Sequence, residues 1–426
     1  MAGFNRNNQV YSNYPTPSYI TKGKFLIITP SDFESAIGSF ANYKRNIGYD
    51  VTVVNTNVTG KTATAIKAYL QTQYDNTSTR PEFVLLIGDH NYIPASGGVT
   101  PPDMSDPLTD LHYAKLDGNN NLPDVFLGRF SVTTIPQLNN IINKTIEMEY
   151  TFTTIERQCA LLSGSGEGAK VFDNPQRWVA ENVFEPLNFD CNKLFAFDGA
   201  TYNDGLDALD DDNQFFIYRG HGNVGYTGSP FGISQSEINA ASNNAYPLFF
   251  SFACLTNHFA QTSLGEYWTR SEKGGIAFFG ATTTTYRHTN NVIEKRVFKQ
   301  LDEMDQLSPF INLGMIDYYK RVWSLLSGSR KVHIKTYILL GDPSFYVFGI
   351  GCQDNYIFSN NELFLDGQEI DYHASNSIIT DYGGATFVLE SGSDVNLYAG
   401  NTIILNSGFS VELGSTFTAN IEPCSK

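Results

Sequence analysis

The chain has 426 residues, with 28 Lys and Arg against 44 Asp and Glu, which gives a formal net charge of −16. Hydrophobic residues make up 41% and aromatic residues 14%, so there is ample material for a core and global disorder is excluded. The excess of acid argues against a nucleic-acid partner and against docking on anionic lipid, because phosphates would not be neutralised. This length predicts two or three domains.

Strands and helices alternate in the first part of the chain. The predicted strands are short and apolar: KFLIITP (24–30), YDVTVV (49–54), FVLLIGD (83–89) and DVFLGRFSV (124–132). The predicted helices between them show apolar residues at helical spacing: 32–47, 62–74 and 134–150. Near-continuous apolar strands interleaved with helices predict a parallel sheet covered on both faces. A long loop rich in Pro, Gly and Asp (94–124) interrupts the pattern.

A second α/β series begins at QCALLSG (158–164). Its other predicted strands are FFIYRG (215–220), LFFSFAC (248–254), GIAFFGA (275–281) and YILLGDPSFYVFG (337–349). Its predicted helices are 174–187, 263–273, 290–304 and 309–327. The simplest interpretation is two linked doubly wound α/β units, at 21–153 and 154–351, after an N-terminal tail (1–20).

The last 75 residues differ in character. Ten acids and one base lie between Cys352 and the end. Four glycines recur every eight residues between short β-prone segments: Gly384, Gly392, Gly400 and Gly408. This period predicts a separate all-β repeat domain at 352–426, a small solenoid or a meander, with a structural or anchoring role.

Targeting signals and cysteines bear on the compartment. No segment approaches the ~20 apolar residues that span a bilayer, and the N-terminus lacks the apolar segment of a signal peptide. The protein is therefore either cytosolic or a trimmed form of an exported protein. Among the five cysteines, the pairs Cys159–Cys191 and Cys352–Cys424 would leave Cys254 unpaired, although the sequence does not fix connectivity.

One histidine and one cysteine follow predicted strands. His221 comes directly after FFIYRG, between Gly220 and Gly222, and Cys254 ends LFFSFAC. Ligands and catalytic groups of open α/β sheets lie beyond the carboxyl ends of strands, so a thiol and an imidazole are predicted side by side. A thiolate that attacks a carbonyl, with a histidine that moves protons, is the minimum for nucleophilic catalysis. The alternative is a small core cysteine and an unrelated polar histidine.

Other chemistry finds less support. The Gly-rich SGSGEGAK (163–170) lacks the spacing of a phosphate-binding loop, and there is no GxSxG, HExxH or CxxC motif. No cofactor is therefore expected, and no zinc site. The segments LDGNNNLPD (116–124) and LDDD (209–212) offer oxygen ligands for a structural calcium ion, or form solvated turns.

Residues 20–350 resemble the gingipain family of cysteine peptidases, within the caspase-like group. The resemblance is carried by KFLIITP and by motifs in family order: VLLIGDHNYIP, LPDVFLGRFSV, YRGHGN, FFSFACLTN, GIAFFGAT and LLGDPSFYV. It implies that Cys254 is the nucleophile and His221 the general acid/base, with the N–H groups of Gly222 and Cys254 as oxyanion hole. Alignment on ENV (181–183) implies Glu167 as a third, acidic residue; the alternative is an exposed loop carboxylate.

The sequence departs from the family's pattern at the substrate pocket. Where arginine-specific gingipains carry an Asp, this chain has Arg177, with Asp173 four residues earlier. The segment TTTTYRH (282–288) should line the pocket and also differs. Arginine or lysine specificity is therefore not carried over. The implied pocket residues are Asp173, Arg177, Tyr286, Arg287 and His288.

The end of the chain, 401–424, resembles the small β-stack domain of proteins exported through the type IX system of Gram-negative bacteria. It implies secretion or display on the cell surface, with the signal and propeptide absent from this chain. We therefore expect a secreted endopeptidase that acts on proteins or peptides without membrane insertion, anchored at the surface through 352–426. The rivals are an inactive binding or scaffold homologue and a transpeptidase of the secretion machinery.

Overall fold

The computed structural model describes most of the chain. Its described residues are 22–97, 107–118, 120–166, 170–259, 261–325, 333–350, 353–358, 360–380 and 382–422. The predicted tail (1–20) and the predicted boundary at 351–352 lie outside these ranges, so both stay predictions.

The first α/β series follows the predicted order. Its strands are β1 (Lys24–Thr29), β2 (Asp50–Asn55), β3 (Phe83–Ile87) and β4 (Phe126–Phe130). Its helices are α1 (Gly38–Asn46), α2 (Thr56–Thr59), α3 (Ala63–Asp75), α4 (Leu111–Ala114) and α5 (Ile135–Thr151). Threonine side chains cap two of the longer helices, since Thr62 accepts from Ala65 N–H and Thr134 from Gln137 N–H.

The second series is longer. Its strands are β5 (Gln158–Ser163), β6 (Asp190–Phe195), β7 (Phe215–Arg219), β8 (Gly222–Asn223), β9 (Tyr226–Thr227), β10 (Leu248–Phe252), β11 (Ala277–Ala281) and β12 (Tyr337–Leu340). Its helices are α6 (Asp173–Val179), α7 (Tyr202–Asp210), α8 (Gln235–Ala240), α9 (Leu264–Arg270), α10 (Arg287–Phe298), α11 (Leu307–Leu325) and α12 (His333–Thr336).

The two series share one ten-stranded sheet. The strand order is β2-β1-β3-β4-β12-β11-β10-β7-β5-β6, and every pair is parallel except β11 with β12. The two halves therefore run in opposite directions, and their carboxyl ends lie at opposite edges. We call these the first-half edge, where Asp89 and Ser131 follow β3 and β4, and the second-half edge, where His221 and Cys254 follow β7 and β10.

Both faces of the sheet are covered, as predicted. On the second half, Phe250 packs against Phe298 of α10 and Phe310 of α11, with ring centroids 4.9 and 5.6 Å apart. The neighbouring residue Phe249 points to the other face and packs against Trp268 of α9 at 4.9 Å. All five residues of β7 and of β10 are buried. The predicted α/β class is confirmed, and the strands that lead to His221 and Cys254 are fully buried in the core.

The C-terminal part is an all-β solenoid. Its strands are β13 (Gln353–Ile357), β14 (Glu362–Phe364), β15 (Glu369–Ile379), β16 (Phe387–Leu389), β17 (Asp394–Ala399), β18 (Thr402–Ile404), β19 (Phe409–Val411) and β20 (Thr416–Ile421). Their described pairings are all parallel, which a meander would not show. The register of Glu369 with Asp394 and of Asp394 with Thr416 gives successive coils that stack as a two-sheet solenoid.

The solenoid packs on the first half of the α/β sheet. Its buried Tyr372 and Leu397 belong to the same apolar cluster as Phe40 of α1 and Ile141 of α5. His373 stacks on Tyr150 at the end of α5, with ring centroids 3.7 Å apart. The two parts therefore share one core.

A buried ion triad joins distant parts of the α/β region. The ammonium of Lys44 lies 2.8 Å from the carboxylate of Glu149 and 2.5 Å from that of Asp342. All three side chains are fully buried, and they come from α1, from α5 and from the segment after β12. Such a triad is costly to break, since removal of one partner leaves a buried charge uncompensated.

Candidate active site

The sheet brings the predicted histidine and cysteine together. Strands β7 and β10 are parallel neighbours, and their last paired residues are Arg219 and Phe252. His221 and Cys254 each stand two residues further on, at the second-half edge. The loops touch at Gly222, where a Cβ atom would lie 2.7 Å from the carbonyl oxygen of Cys254. A larger residue than glycine would push the two loops apart.

The backbone around Cys254 is held in an unusual conformation. The thiol is half-buried and accepts a hydrogen bond from the N–H of Thr285 over 3.3 Å. The next residue, Leu255, has a φ of +64°, which is uncommon for a residue other than glycine. Its N–H donates to the carbonyl of Thr283, which fixes the turn. Strained turns of this kind cluster at active sites, where surrounding contacts hold a side chain in place.

His221 is exposed and held through its own backbone. Its carbonyl oxygen accepts hydrogen bonds from the Tyr218 hydroxyl at 2.7 Å and from the Gly228 N–H at 2.8 Å. Its imidazole meets the ring of Phe172 edge to face, with centroids 5.5 Å apart. On another side, a Cβ on Gly166 would lie 3.6 Å from the imidazole Nε2.

The remaining predicted catalytic groups are located in part. Glu167 lies outside the described residues, and its neighbour Gly166 lies beside the His221 imidazole. The backbones of Gly222 and Cys254 lie next to each other, as two donors to one oxyanion must. The roles of Glu167 and of this pair stay predictions.

The two predicted pocket residues of α6 point to different places. Asp173 is buried, and one of its oxygens accepts a hydrogen bond from the hydroxyl of Ser163 at the end of β5. Its other oxygen has no hydrogen-bond partner among the described residues. Arg177 forms an ion pair with Asp198 and covers the ring of Phe195 at 4.5 Å. The structure therefore does not bring Asp173 and Arg177 together.

The other three pocket residues form an exposed rim beside the thiol. Tyr286, Arg287 and His288 directly follow Thr285, the residue that contacts Cys254. The backbone N–H of Tyr286 donates to Nε2 of His333 over 3.1 Å, and the two rings lie 5.4 Å apart. Their position is suitable for a substrate pocket, and their role in specificity stays a prediction.

Sequence reasoning did not single out the polar groups beneath the site. Asn290 of α10 donates through Nδ2 to the hydroxyl of Thr285 at 2.7 Å and to the carbonyl of Phe252 at 3.2 Å. Arg219 is buried at the end of β7, two residues before His221. The available signal was a single charged residue at the end of the apolar strand FFIYR.

One predicted disulfide is confirmed. Cys159 and Cys191 are bonded, and they are directly opposite each other on β5 and β6. Cys352 and Cys424 lie outside the described residues, so their pairing stays a prediction. Cys254 is a free thiol.

In the two segments considered for calcium, carboxylates accept hydrogen bonds from backbone N–H groups. Asp124 accepts from the N–H groups of Leu116 and Asp117, both at 2.7 Å. Asp212 accepts from the N–H of Ala245 at 2.9 Å. Within the described ranges, no three His, Cys, Asp or Glu side chains are grouped as metal ligands. The calcium hypothesis stays a prediction.

The comparison with solved structures places the fold in the caspase-like α/β class. The crystal structure of the Arg-specific cysteine proteinase gingipain R superposes with a TM-score of 0.68 at 21% identity, over 85% of each chain. A structure described only as a protease gives a TM-score of 0.69 at 20% identity, over 76% of this chain and 78% of the other.

The sequence comparison is more specific. The model of peptidase family C25 matches residues 19–348, and the chain belongs to that family. It is 26% identical over 413 residues to gingipain R2 of Porphyromonas gingivalis, an alignment that covers 91% of this chain and 54% of that protein. It is 27% identical over 374 residues to gingipain R1 of the same species, with 81% and 37% covered. The chain thus spans about half the length of gingipain R2 and 37% of the length of gingipain R1.

Proposed function

We propose that the protein is a secreted cysteine endopeptidase that uses Cys254 and His221. Membership of a cysteine peptidase family supports this proposal. The observation that carries it is the contact of the two loops at Gly222, which puts thiol and imidazole at neighbouring strand ends on an accessible edge.

The proposed reaction has two steps. The thiolate of Cys254 attacks the scissile carbonyl, a bond forms between Sγ and carbon, and the oxyanion lies against the N–H groups of Gly222 and Cys254. The C–N bond then breaks as His221 gives its proton to the leaving amine. Water, deprotonated by His221, attacks the thioester and releases the carboxylic acid and the thiol. Glu167 orients the imidazole in this proposal, and no cofactor takes part.

The substrates in this proposal are proteins or peptides that bind along the second-half edge. The exposed rim of Tyr286, Arg287 and His288 contacts the residue before the scissile bond. Two arginines, Arg177 and Arg287, would favour an acidic residue before the scissile bond. Arg177 is already paired with Asp198, which limits its contribution to this preference. A positional-scanning peptide library measures this preference directly.

The proposal includes an oxidising location, secreted or at the cell surface. The bond between Cys159 and Cys191 supports it, since disulfides persist chiefly outside the cytosol. None of the helices in the described part of the chain is long and apolar enough to cross a membrane. Anchoring through the C-terminal solenoid belongs to the same proposal.

The test is the replacement Cys254→Ala, measured on a mixed peptide library. We expect a loss of cleavage of about 10⁴-fold or more with an unchanged unfolding temperature. Unchanged cleavage contradicts the proposal. An inactive scaffold homologue is recognised by a Cys254 that a peptidyl electrophile does not label, and a transpeptidase by an added amine that appears in the product.

A further inference from the structure

A buried arginine ends the strand that leads to His221. Arg219 is 1% exposed at the end of FFIYR, an otherwise uncharged strand. A guanidinium is rarely placed in a core unless its donors are satisfied, because its desolvation is costly. The partners of Arg219 therefore indicate what its burial achieves.

Those partners belong to the segments on each side of the thiol. Nη1 donates to the carbonyl of Phe252, two residues before Cys254, at 2.9 Å. Nη2 donates to the carbonyl of Arg287, at the start of α10, at 2.6 Å. Nε and Nη2 both donate to Oδ1 of Asn291, at 2.9 and 2.6 Å. One side chain thus joins β7, β10 and α10 beneath the site.

The same guanidinium reaches the histidine through an aromatic ring. It lies 4.7 Å from the ring of Phe172, which in turn meets the imidazole of His221 edge to face at 5.5 Å. Asn291 holds the preceding residue as well, since its Nδ2 donates to the carbonyl of Val171 at 3.1 Å. The loop that flanks His221 therefore rests on Arg219 and its partner.

A buried carboxyl group faces this arginine. Oε2 of Glu294, on α10, lies 3.8 Å from Nε of Arg219, and neither oxygen has a hydrogen-bond partner among the described residues. Burial raises the pKa of Glu294 to about 8, although the charges of Arg219 and Lys295 lower it. Tyr337, on β12, is a further titratable group that faces this carboxyl group among the described residues. Near pH 7 the carboxyl group is therefore mainly neutral, and the charge of Arg219 is not cancelled.

We propose that Arg219 is the positioning residue of this site: it holds the strand end of Cys254, the start of α10 and the ring beside His221 in register. The carboxyl group of Glu294 lies 3.8 Å from this guanidinium, so its ionisation changes the charge beneath the strand end of Cys254. This inference rests on the proposed cysteine chemistry and extends it to residues that touch no substrate.

The first test replaces Arg219, at the end of β7, and compares it with an ion-paired arginine of α10. Arg219→Gln should lower kcat by about 10²-fold and leave KM within about three-fold, because misplaced groups slow the chemical step more than binding. Arg219→Lys should recover only part of the loss, since an ammonium group lacks the planar fork. The control is Arg296→Gln, which removes an ion pair with Asp317 away from the site and should keep kcat.

The second test is a pH profile that a purely structural role would not produce. We expect the rate of alkylation of Cys254 by iodoacetamide to be equal in wild type and Glu294→Gln near pH 6. Above pH 8 the wild type should be slower by about three-fold, because ionised Glu294 cancels the Arg219 charge and disfavours the thiolate.

Two results would overturn the inference: a kcat for Arg219→Gln within about two-fold of the Arg296→Gln value, or a rate ratio that does not change with pH. If Arg219→Gln fails to fold, Asn291→Leu and Glu294→Gln replace it, with about a ten-fold loss of kcat expected for Asn291→Leu. If the wild-type protein cleaves no peptide, the proposed function is refuted but the inference about Arg219 is not. The alkylation rates still test the effect of its charge on Cys254.

Discussion

The first-half edge and the second-half edge of the ten-stranded sheet carry similar polar residues, but these residues have different roles. At the first-half edge, Arg129 is fully buried and donates to both carboxylate oxygens of Asp110, at 2.8 and 2.6 Å. There Ser131 donates to Glu266 of α9, which ties the halves together. At the second-half edge, the side chain of His221 is exposed.

The histidines of the two edges show the same difference. His90 follows β3 and accepts a hydrogen bond from the N–H of Ala95 through Nδ1 at 3.0 Å. Burial lowers the pKa of His90, and the charge of Arg129 lowers it further, which favours the neutral imidazole. The side chain of His221 is exposed instead, and its carbonyl oxygen accepts hydrogen bonds from Tyr218 and Gly228. Polar groups at strand ends thus stabilise the fold where helices cover them, and are available for chemistry where glycine loops leave them open.

The largest expected effect is a loss of activity when a residue of the second-half edge is replaced, but not when one of the first half is replaced. His221→Ala should lower kcat by about 10³-fold or more, because it removes the proton-transfer group, and should leave the unfolding temperature unchanged. Peptide hydrolysis and thermal unfolding measure the two parts. His112→Ala, in the first half, is the control and should keep full activity. An active His221→Ala would mean that the open edge is not the catalytic one.

The next effect appears in stability. Arg129→Met leaves Asp110 buried without its partner and should lower the free energy of unfolding by about 3–5 kcal/mol. Activity per folded molecule should be retained. The exposed pair of Lys24 and Asp50, at 2.6 Å, provides the control, since Lys24→Met should cost about 0–1 kcal/mol. Equal losses from the two replacements would contradict a structural role for the first-half edge.

The smallest effect is a pH dependence at His90. Because its folded pKa lies below the unfolded value of 6.5, the folded state binds fewer protons, and stability is lost as the pH falls below 6.5. His90→Gln should remove this slope while still accepting from Ala95. Unfolding temperatures at pH 7.5 and pH 5 test it, with a difference between the variants of about one or two degrees. Parallel curves would show that His90 titrates normally.

Much of the fold could be predicted because its central strands are apolar. FFIYRG and LFFSFAC gave the two site strands to within two residues of β7 and β10. The strand β6 (Asp190–Phe195) was not predicted. It is the outermost strand of the sheet, only Phe195 in it is buried, and its other residues show no alternation of apolar and polar side chains. The antiparallel step between β11 and β12, which joins both units into one sheet, depends on packing between distant segments.

The site shows the same limit. The order of motifs predicted Cys254 and His221, because both directly follow buried strands. The partners of Arg219 could not be predicted from the sequence, because its hydrogen bond to Asn291 forms only once α10 has packed across the ends of β7 and β10. Glu167, outside the described residues, stays a prediction from resemblance.

The core shared by the solenoid and the first half has a consequence for the order of folding. Phe40 and Ile141 are covered by Tyr372 and Leu397, which follow them by more than two hundred positions in the chain. A polypeptide that leaves a ribosome or an export channel from its N-terminus therefore cannot complete this core until the solenoid has emerged. During that interval, the apolar sides of α1 and α5 are exposed to solvent and available to a chaperone.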